Sequence, residues 1–233
     1  MVQMYSNEWY DIFLDSVPAV STRSEAAFVE RYLPSHAFPL LLDLCCGPGR
    51  HAAMLAPRGY RILGLDANEG AVRRARAACA QGKFVVGDMR SLPALRETFD
   101  GAINLWHSFG YYDDATNQMI VRQVHDVLRP GGRAVFDIYN RQHFALRPRE
   151  ETTERNGRQI HTTRNWEGNR HRVTLAYDGR VGDVFEWRLY TPHEFEALCA
   201  AAGLRTLLAC AWFDASLLPA AEHARMQFVV ERS

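Results

Sequence analysis

Residues 40–51, Leu-Leu-Leu-Asp-Leu-Cys-Cys-Gly-Pro-Gly-Arg-His, carry an apolar run into a glycine-bearing turn and then into a helical pattern. Such a turn lets a ligand approach the backbone closely, and the helix start offers free N–H groups and a favourable dipole to a polar or anionic group. Asp66, ending the next apolar run, is placed to accept two hydrogen bonds from ribose hydroxyls. Gly47-x-Gly49-x-x-Ala52 together with Asp66 also satisfies the loose dinucleotide fingerprint. These residues alone therefore leave a nicotinamide dinucleotide and other adenosine cofactors in contention. Further along, Asn104-Leu105-Trp106-His107 brings a histidine, whose ordinary pKa is about 6.5, to the end of another apolar run. His107 could take a proton there, or only hydrogen-bond within its own loop. Asp137 and Tyr139 close the following run and share that space by topology, with packing and capping as their plainer roles.

The elements that must position these residues follow from periodicity. From residue 39 to about 140, short apolar runs alternate with helical patterns, as in βαβ units around a parallel sheet. Strands are expected over 40–45, 60–66, 83–87, 99–105 and 132–138, and helices over about 50–56, 69–81 and 115–128. The apolar runs are nearly continuous, as in strands covered on both faces. Ahead of them, 21–33 reads as a helix stopped by Pro34. The aromatic cluster of Tyr5, Trp9, Tyr10 and Phe13 before it is either packing or a flap over a ligand. After residue 140 the period becomes two, and 158–165, 170–177 and 184–190 read as three antiparallel strands, with Gly168-Asn169 and Asp178-Gly179 at turns. Thr191, Pro192 and Glu194 then open a capped helix running to Gly203, followed by a closing strand pair over 204–212 and 226–231.

Among the 233 residues, 27 Lys plus Arg balance 27 Asp plus Glu. A nucleic acid held through its phosphates would leave a basic surplus, so a small ligand fits better and no nucleic-acid partner is expected. No apolar run nears the roughly 20 residues that cross a membrane. The first residues lack the basic end and apolar run of a signal peptide, so a cytoplasmic location without membrane association is expected. Cys45 and Cys46 are adjacent while Cys79, Cys199 and Cys210 are scattered, so no C-x-x-C pair marks a zinc or redox site and no metal is expected.

Over about 40–140, and more weakly through the C-terminal strands, the chain resembles the class I S-adenosylmethionine (SAM)-dependent methyltransferases, in their small-molecule branch. The resemblance rests on Leu42-Asp43-Leu44-Cys45-Cys46-Gly47-Pro48-Gly49, Gly64-Leu65-Asp66, Val86-Gly87-Asp88-Met89, Phe99-Asp100-Gly101-Ala102-Ile103-Asn104-Leu105 and Leu128-Arg129-Pro130-Gly131-Gly132. The last has no counterpart in the dinucleotide fingerprint. It implies an α/β fold: a seven-stranded, mostly parallel Rossmann-like sheet with helices on both faces and a small antiparallel β insert after strand five. A single class I domain over 1–233 is expected, with an N-terminal helical cap over 1–38 and the insert, at about 150–190, on the substrate side.

The resemblance further implies SAM as cofactor and S-adenosylhomocysteine (SAH) as product. Asp43, Cys45, Cys46 and Gly47 would lie along the methionine part, and Asp66 with Ala67 at the ribose. Asp88 would reach the adenine amino group, with Met89 beside it. Tyr10, Asn104 and Leu105 complete the expected cofactor set, and His107 and Tyr139 are the catalytic candidates. Cys45 departs from the family pattern, where glycine is more frequent. The expected activity is methyl transfer to nitrogen or oxygen of a small metabolite or natural product, by a monomer or homodimer. An NAD-dependent oxidoreductase and a non-catalytic SAM-binding module are the alternatives. The aromatic and histidine residues of the insert, Trp166, His161, His171, Tyr177 and Trp187, read either as pocket lining or as dimer contact.

Overall fold

The computed structural model describes residues 5–14, 16–92 and 98–233. Of the expected cap over 1–38, residues 1–4 and 15 lie outside the described residues. The N-terminal segment forms a turn of helix α1 (Asn7–Trp9), a π-helical turn (Tyr10–Leu14) and helix α2 (Ala19–Tyr32). The βαβ block then runs β1 (Leu40–Leu44), α3 (Arg50–Leu55), β2 (Arg61–Asp66), α4 (Glu69–Ala78), β3 (Lys83–Val86), β4 (Phe99–Asn104), α5 (Asp114–Val127) and β5 (Leu128–Tyr139). After the short helix α6 (Arg141–Ala145) come β6 (Glu150–Arg155), β7 (Arg158–Glu167), β8 (Arg170–Tyr177) and β9 (Arg180–Arg188). Helix α7 (Pro192–Ala201), β10 (Leu204–Ala211) and β11 (Arg225–Arg232) close the chain.

The main sheet has seven strands in the order β10-β11-β5-β4-β1-β2-β3, all parallel except β11, which runs antiparallel to both its neighbours. The strand order reverses between β1 and β4, the switch point at which ligands settle in open α/β sheets. Alternation along the central strands serves both faces: Leu41 and Ile103 pack towards α2, α3 and α4, while Leu42, Leu44 and Ala102 pack towards α5 and α7. Several helix starts are capped by side chains. Asn68 and Asp113 accept backbone N–H groups at the starts of α4 and α5, and Thr191 with Glu194 forms a complete capping box on α7.

The insert differs from expectation in having four antiparallel strands, ordered β6-β7-β8-β9. The extra strand, Glu-Glu-Thr-Thr-Glu-Arg, is an edge strand with largely exposed side chains, so no apolar alternation announced it. Strand β5 also begins earlier than expected, because Gly131 at φ 74° absorbs a register irregularity between β4 and β5. The inner face of the insert packs Ile160, Val173, Leu175, Phe185 and Trp187 against Trp9 and Ile12 in a third core cluster. Ser6 tightens this junction by donating from both N and Oγ to Asp183, at 3.0 and 2.7 Å. No helix among the described residues is long and apolar enough to cross a membrane.

Candidate active site

A slot opens at the ends of β1, β2, β3 and β4, and it is lined by Tyr10, Asp43, Cys45, Cys46, Gly47, Asp66, Ala67, Asp88, Met89 and Leu105 of the expected cofactor set. The turn after β1 takes its shape from three left-handed residues: Cys45 at φ 62°, Gly47 at 52° and Gly49 at 79°. Glycine enters this region with ease, whereas at Cys45 a thiol side chain adopts it. At Gly49 a Cβ would fall 2.9 Å from that of Ala75, so α3 and α4 approach each other only over a bare backbone.

Asp66 accepts N–H groups of Gly47 and Asn68, each at 2.8 Å, which fixes its carboxylate at the rim of the slot. Burial raises its pKa while these backbone donors oppose the rise. Asp43 is almost fully buried, and its Oδ2 has no partner among the described residues. Burial, and then the charge of Asp66, push its carboxyl up to about 7, with Arg50 pulling the other way. Arg50 donates from Nη1 to Thr22 and Glu25 at 2.7 and 2.6 Å, yet its buried Nη2 is also unpartnered. An orphaned carboxylate oxygen and an orphaned guanidinium nitrogen in one slot suit the ammonium and carboxylate of an α-amino acid, since buried polar atoms otherwise find partners. The residues present therefore fit a cofactor made of an amino acid joined to a ribonucleoside.

Two expected residues behave differently. Asp88 lines the slot, but its carboxylate accepts the Arg90 N–H at 2.8 Å and pairs with the Arg90 guanidinium at 2.5 Å, which lowers its pKa. Asn104 does not line the slot: it is buried behind it, donating from Nδ2 to the Leu44 carbonyl at 2.8 Å and tying β4 to β1. The extended backbone alternates side chains, so Leu105 faces the slot and Asn104 turns away.

A second cavity, of about 340 Å³, lies between the insert, the N-terminal segment and the loop after β4. His107 and Tyr139 both line it, rather than the cofactor slot, and their rings stack with centroids 3.9 Å apart. Tyr5, Trp9 and Trp106 line both spaces and so form the partition between them. His107 Nδ1 is buried without a partner. Burial first, then Arg225 and Arg50, hold its pKa well below the usual histidine value, so it is neutral near pH 7. Burial keeps the Tyr139 phenol protonated. Trp106 and His107 are both left-handed, at φ 64° and 49°, a conformation that costs about 1–3 kcal/mol per non-glycine residue. Asp137 holds them there: Oδ2 accepts the Trp106 N–H at 2.8 Å and its carbonyl accepts the His107 N–H at 2.9 Å.

Behind the partition lies a buried ionic network that sequence reading missed. Asp137 accepts from Gln227 Nε2 at 2.7 Å and from the Arg225 guanidinium, which also reaches Glu25 at 3.2 Å. Glu25 further holds Arg50 and His51, and Arg50 and Arg225 lie 4.8 and 5.8 Å from the Trp106 ring. These groups are up to 200 residues apart in the chain, so no local spacing could have linked them. Tyr5 and Tyr111, hydrogen-bonded through their hydroxyls, also line the slot; the aromatic clustering near residue 5 hinted at the first and the position of the segment after β4 at the second.

Residues 41–132 match the family model described as a methyltransferase domain. An uncharacterised methyltransferase of Synechocystis sp. is 29% identical over 148 residues, 62% of this chain and 69% of that protein. The chain spans 47% and 40% of the length of two further relatives, from Bacillus subtilis and Salmonella typhimurium. In fold it is similar to the CcbJ methyltransferase of Streptomyces caelestis, with a TM-score of 0.82 at 20% identity, covering 97% of this chain and 96% of that one. CalS10 of Micromonospora echinaspora, an amino pentose methyltransferase solved with SAM bound, superposes over 100% of both chains with a TM-score of 0.74 at 21% identity.

Proposed function

We propose that the protein is a class I, SAM-dependent methyltransferase, in keeping with the match of residues 41–132 to a methyltransferase domain, and that it transfers a methyl group to a nitrogen or oxygen atom of a small metabolite or natural product. The observation that carries this reading is the second cavity: a space of about 340 Å³, within the usual range for small ligands, separated from the cofactor slot by the Trp9 and Trp106 partition.

SAM, when bound, supplies a methyl group already activated by its sulfonium. The chain's own residues then have three tasks. Asp66 accepts hydrogen bonds from the ribose, while Asp43 and Arg50 take the ammonium and carboxylate of the amino-acid part. Met89 and Leu105, both buried, offer apolar contact to the base. The aromatic walls of the second cavity keep water from the acceptor and fix its approach, and positioning of this kind supplies much of the catalysis in a displacement at activated carbon. His107, neutral and unpartnered at Nδ1, is the group able to accept the acceptor's proton at that atom. Tyr139 stacks on the imidazole and sets its plane.

Incubation with methyl-labelled SAM and a metabolite extract tests the reading. Label in a discrete small-molecule product is the expected result. SAH binding without any labelled product would instead favour a non-catalytic SAM-binding module.

A further inference from the structure

The acceptor cavity has an uneven distribution of charge. Its charged lining consists of Arg147, Arg155, Arg164 and Glu151, three cations against one anion. Arg147 and Arg164 both draw on the single carboxylate of Glu151, at 2.5 and 2.8 Å. Among the described residues, the Arg155 guanidinium meets the face of the Phe13 ring, at 5.2 Å, and no carboxylate. The exposed Arg147 and Arg155 mark the wet end of the cavity, whereas His107 and Tyr139 mark its enclosed end. Between them, His171 is buried with Nε2 unpartnered, and burial and then Arg164 hold it neutral, down to about 4. The two histidines therefore add no charge near pH 7, and the surplus belongs to the three arginines.

We propose that the acceptor carries an oxyanion group, a carboxylate or a phosphate, held at the mouth by Arg155 with Arg147 and Arg164, while its apolar body lies between the aromatic walls and its methylated atom faces His107. This rests on the methyl-transfer reading and narrows its substrate class. Arginine forks match carboxylate and phosphate geometry, and like charge lining a concave, low-dielectric site focuses the field on a ligand. An ammonium acceptor would meet this surplus at the entrance and the cationic cofactor beyond it. A solvated arginine on an edge strand is commonplace by itself. Three that line one cavity, with one carboxylate shared by two of them, form an anion seat.

Calorimetric titration of the SAH-saturated protein tests this with four probes: para-hydroxybenzoate, phenyl phosphate, the methyl ester of para-hydroxybenzoate, and tyramine. At least one of the two anions should bind about tenfold or more tightly than the ester and tyramine, as for a charge-assisted hydrogen bond. The tighter anion identifies which oxyanion the seat prefers. Arg155→Ala should remove that preference, Arg155→Lys should restore part of it, and SAH affinity should change less than about twofold in both, which also reports that the variants are folded. Ester or tyramine binding as tightly as the anions, anion binding unchanged in Arg155→Ala, or no binding by any of the four overturns the proposal. Saturation with SAH is established first; its failure would strike the cofactor reading and not the anion seat.

Discussion

At the residue scale, the cofactor slot depends on carboxylates with different partners, and this sets different expectations for each. Asp66 is held only by backbone N–H groups and is free to accept from hydroxyls, so Asp66→Ala should weaken SAM binding by about 2–3 kcal/mol. Asp88 already shares its charge with Arg90, and Asp88→Ala should cost less; calorimetry on both variants checks the order. Asp43 makes the slot sensitive to pH. Its carboxyl, pushed up to about 7, is protonated below that value, where it cannot pair with the ammonium of SAM. Affinity should therefore rise with pH between roughly 6 and 8, by up to about tenfold per unit below the pKa, and Asp43→Asn should flatten that rise. His107 concerns turnover instead. His107→Ala should leave SAM affinity nearly intact and lower turnover by about 100-fold or more, with a loss that shrinks as pH rises if proton removal is what is missing.

At the scale of elements, the partition between the two cavities is held by strands and a helix remote from it in sequence. Two consecutive left-handed residues, Trp106 and His107, are kept in place by Asp137 on β5, which is locked by Arg225 on β11, which reaches Glu25 on α2. Removing one member of a buried ionic set leaves the others uncompensated, so Arg225→Ala should destabilise the fold by about 3–5 kcal/mol, measurable by denaturant unfolding. The same network shapes acid stability. Burial pushes the Glu25 carboxyl up, but the hydrogen bond from His51 and the charges of Arg50 and Arg225 outweigh it and bring it down to about 2. Burial also lowers the pKa of His51 itself. A carboxylate with a lowered folded pKa contributes stability that is complete above its unfolded pKa of about 4.5 and lost as pH falls towards 2. Glu25→Gln should accordingly lower stability at neutral pH and remove this residue's share of the acid dependence in that window.

At the scale of the whole molecule, the slot and the second cavity share walls from the N-terminal segment and the loop after β4, and the insert encloses the second cavity alone. Ligand binding to the folded state alone raises stability by mass action, about 2.7 kcal/mol at a hundredfold excess over Kd. For a domain of this size that is roughly 5–10 °C in Tm. SAH, binding in the micromolar range, should give such a shift by thermal denaturation at about hundredfold excess over Kd, whereas NAD should give none. A shift with NAD alone would overturn the cofactor assignment.

What the sequence determined by itself was local. The β1 turn, the acidic strand ends, the caps at Thr191 and Glu194 and the two periodicities each depend on residues within a few positions of one another, and there type and spacing suffice. Most of the residues that line the slot were legible for that reason, because a parallel sheet brings the ends of its strands together. Asn104 was misplaced because a motif names residues without saying which side of the strand each one faces. Strand β6 was missed because an exposed edge needs no apolar pattern. Only the tertiary structure decided that His107 and Tyr139 face a cavity apart from the cofactor slot, that Glu25, Asp137 and Arg225 form one network, and that three arginines meet at one mouth. Those relations join side chains from different strands and helices, and they exist only once the chain has packed.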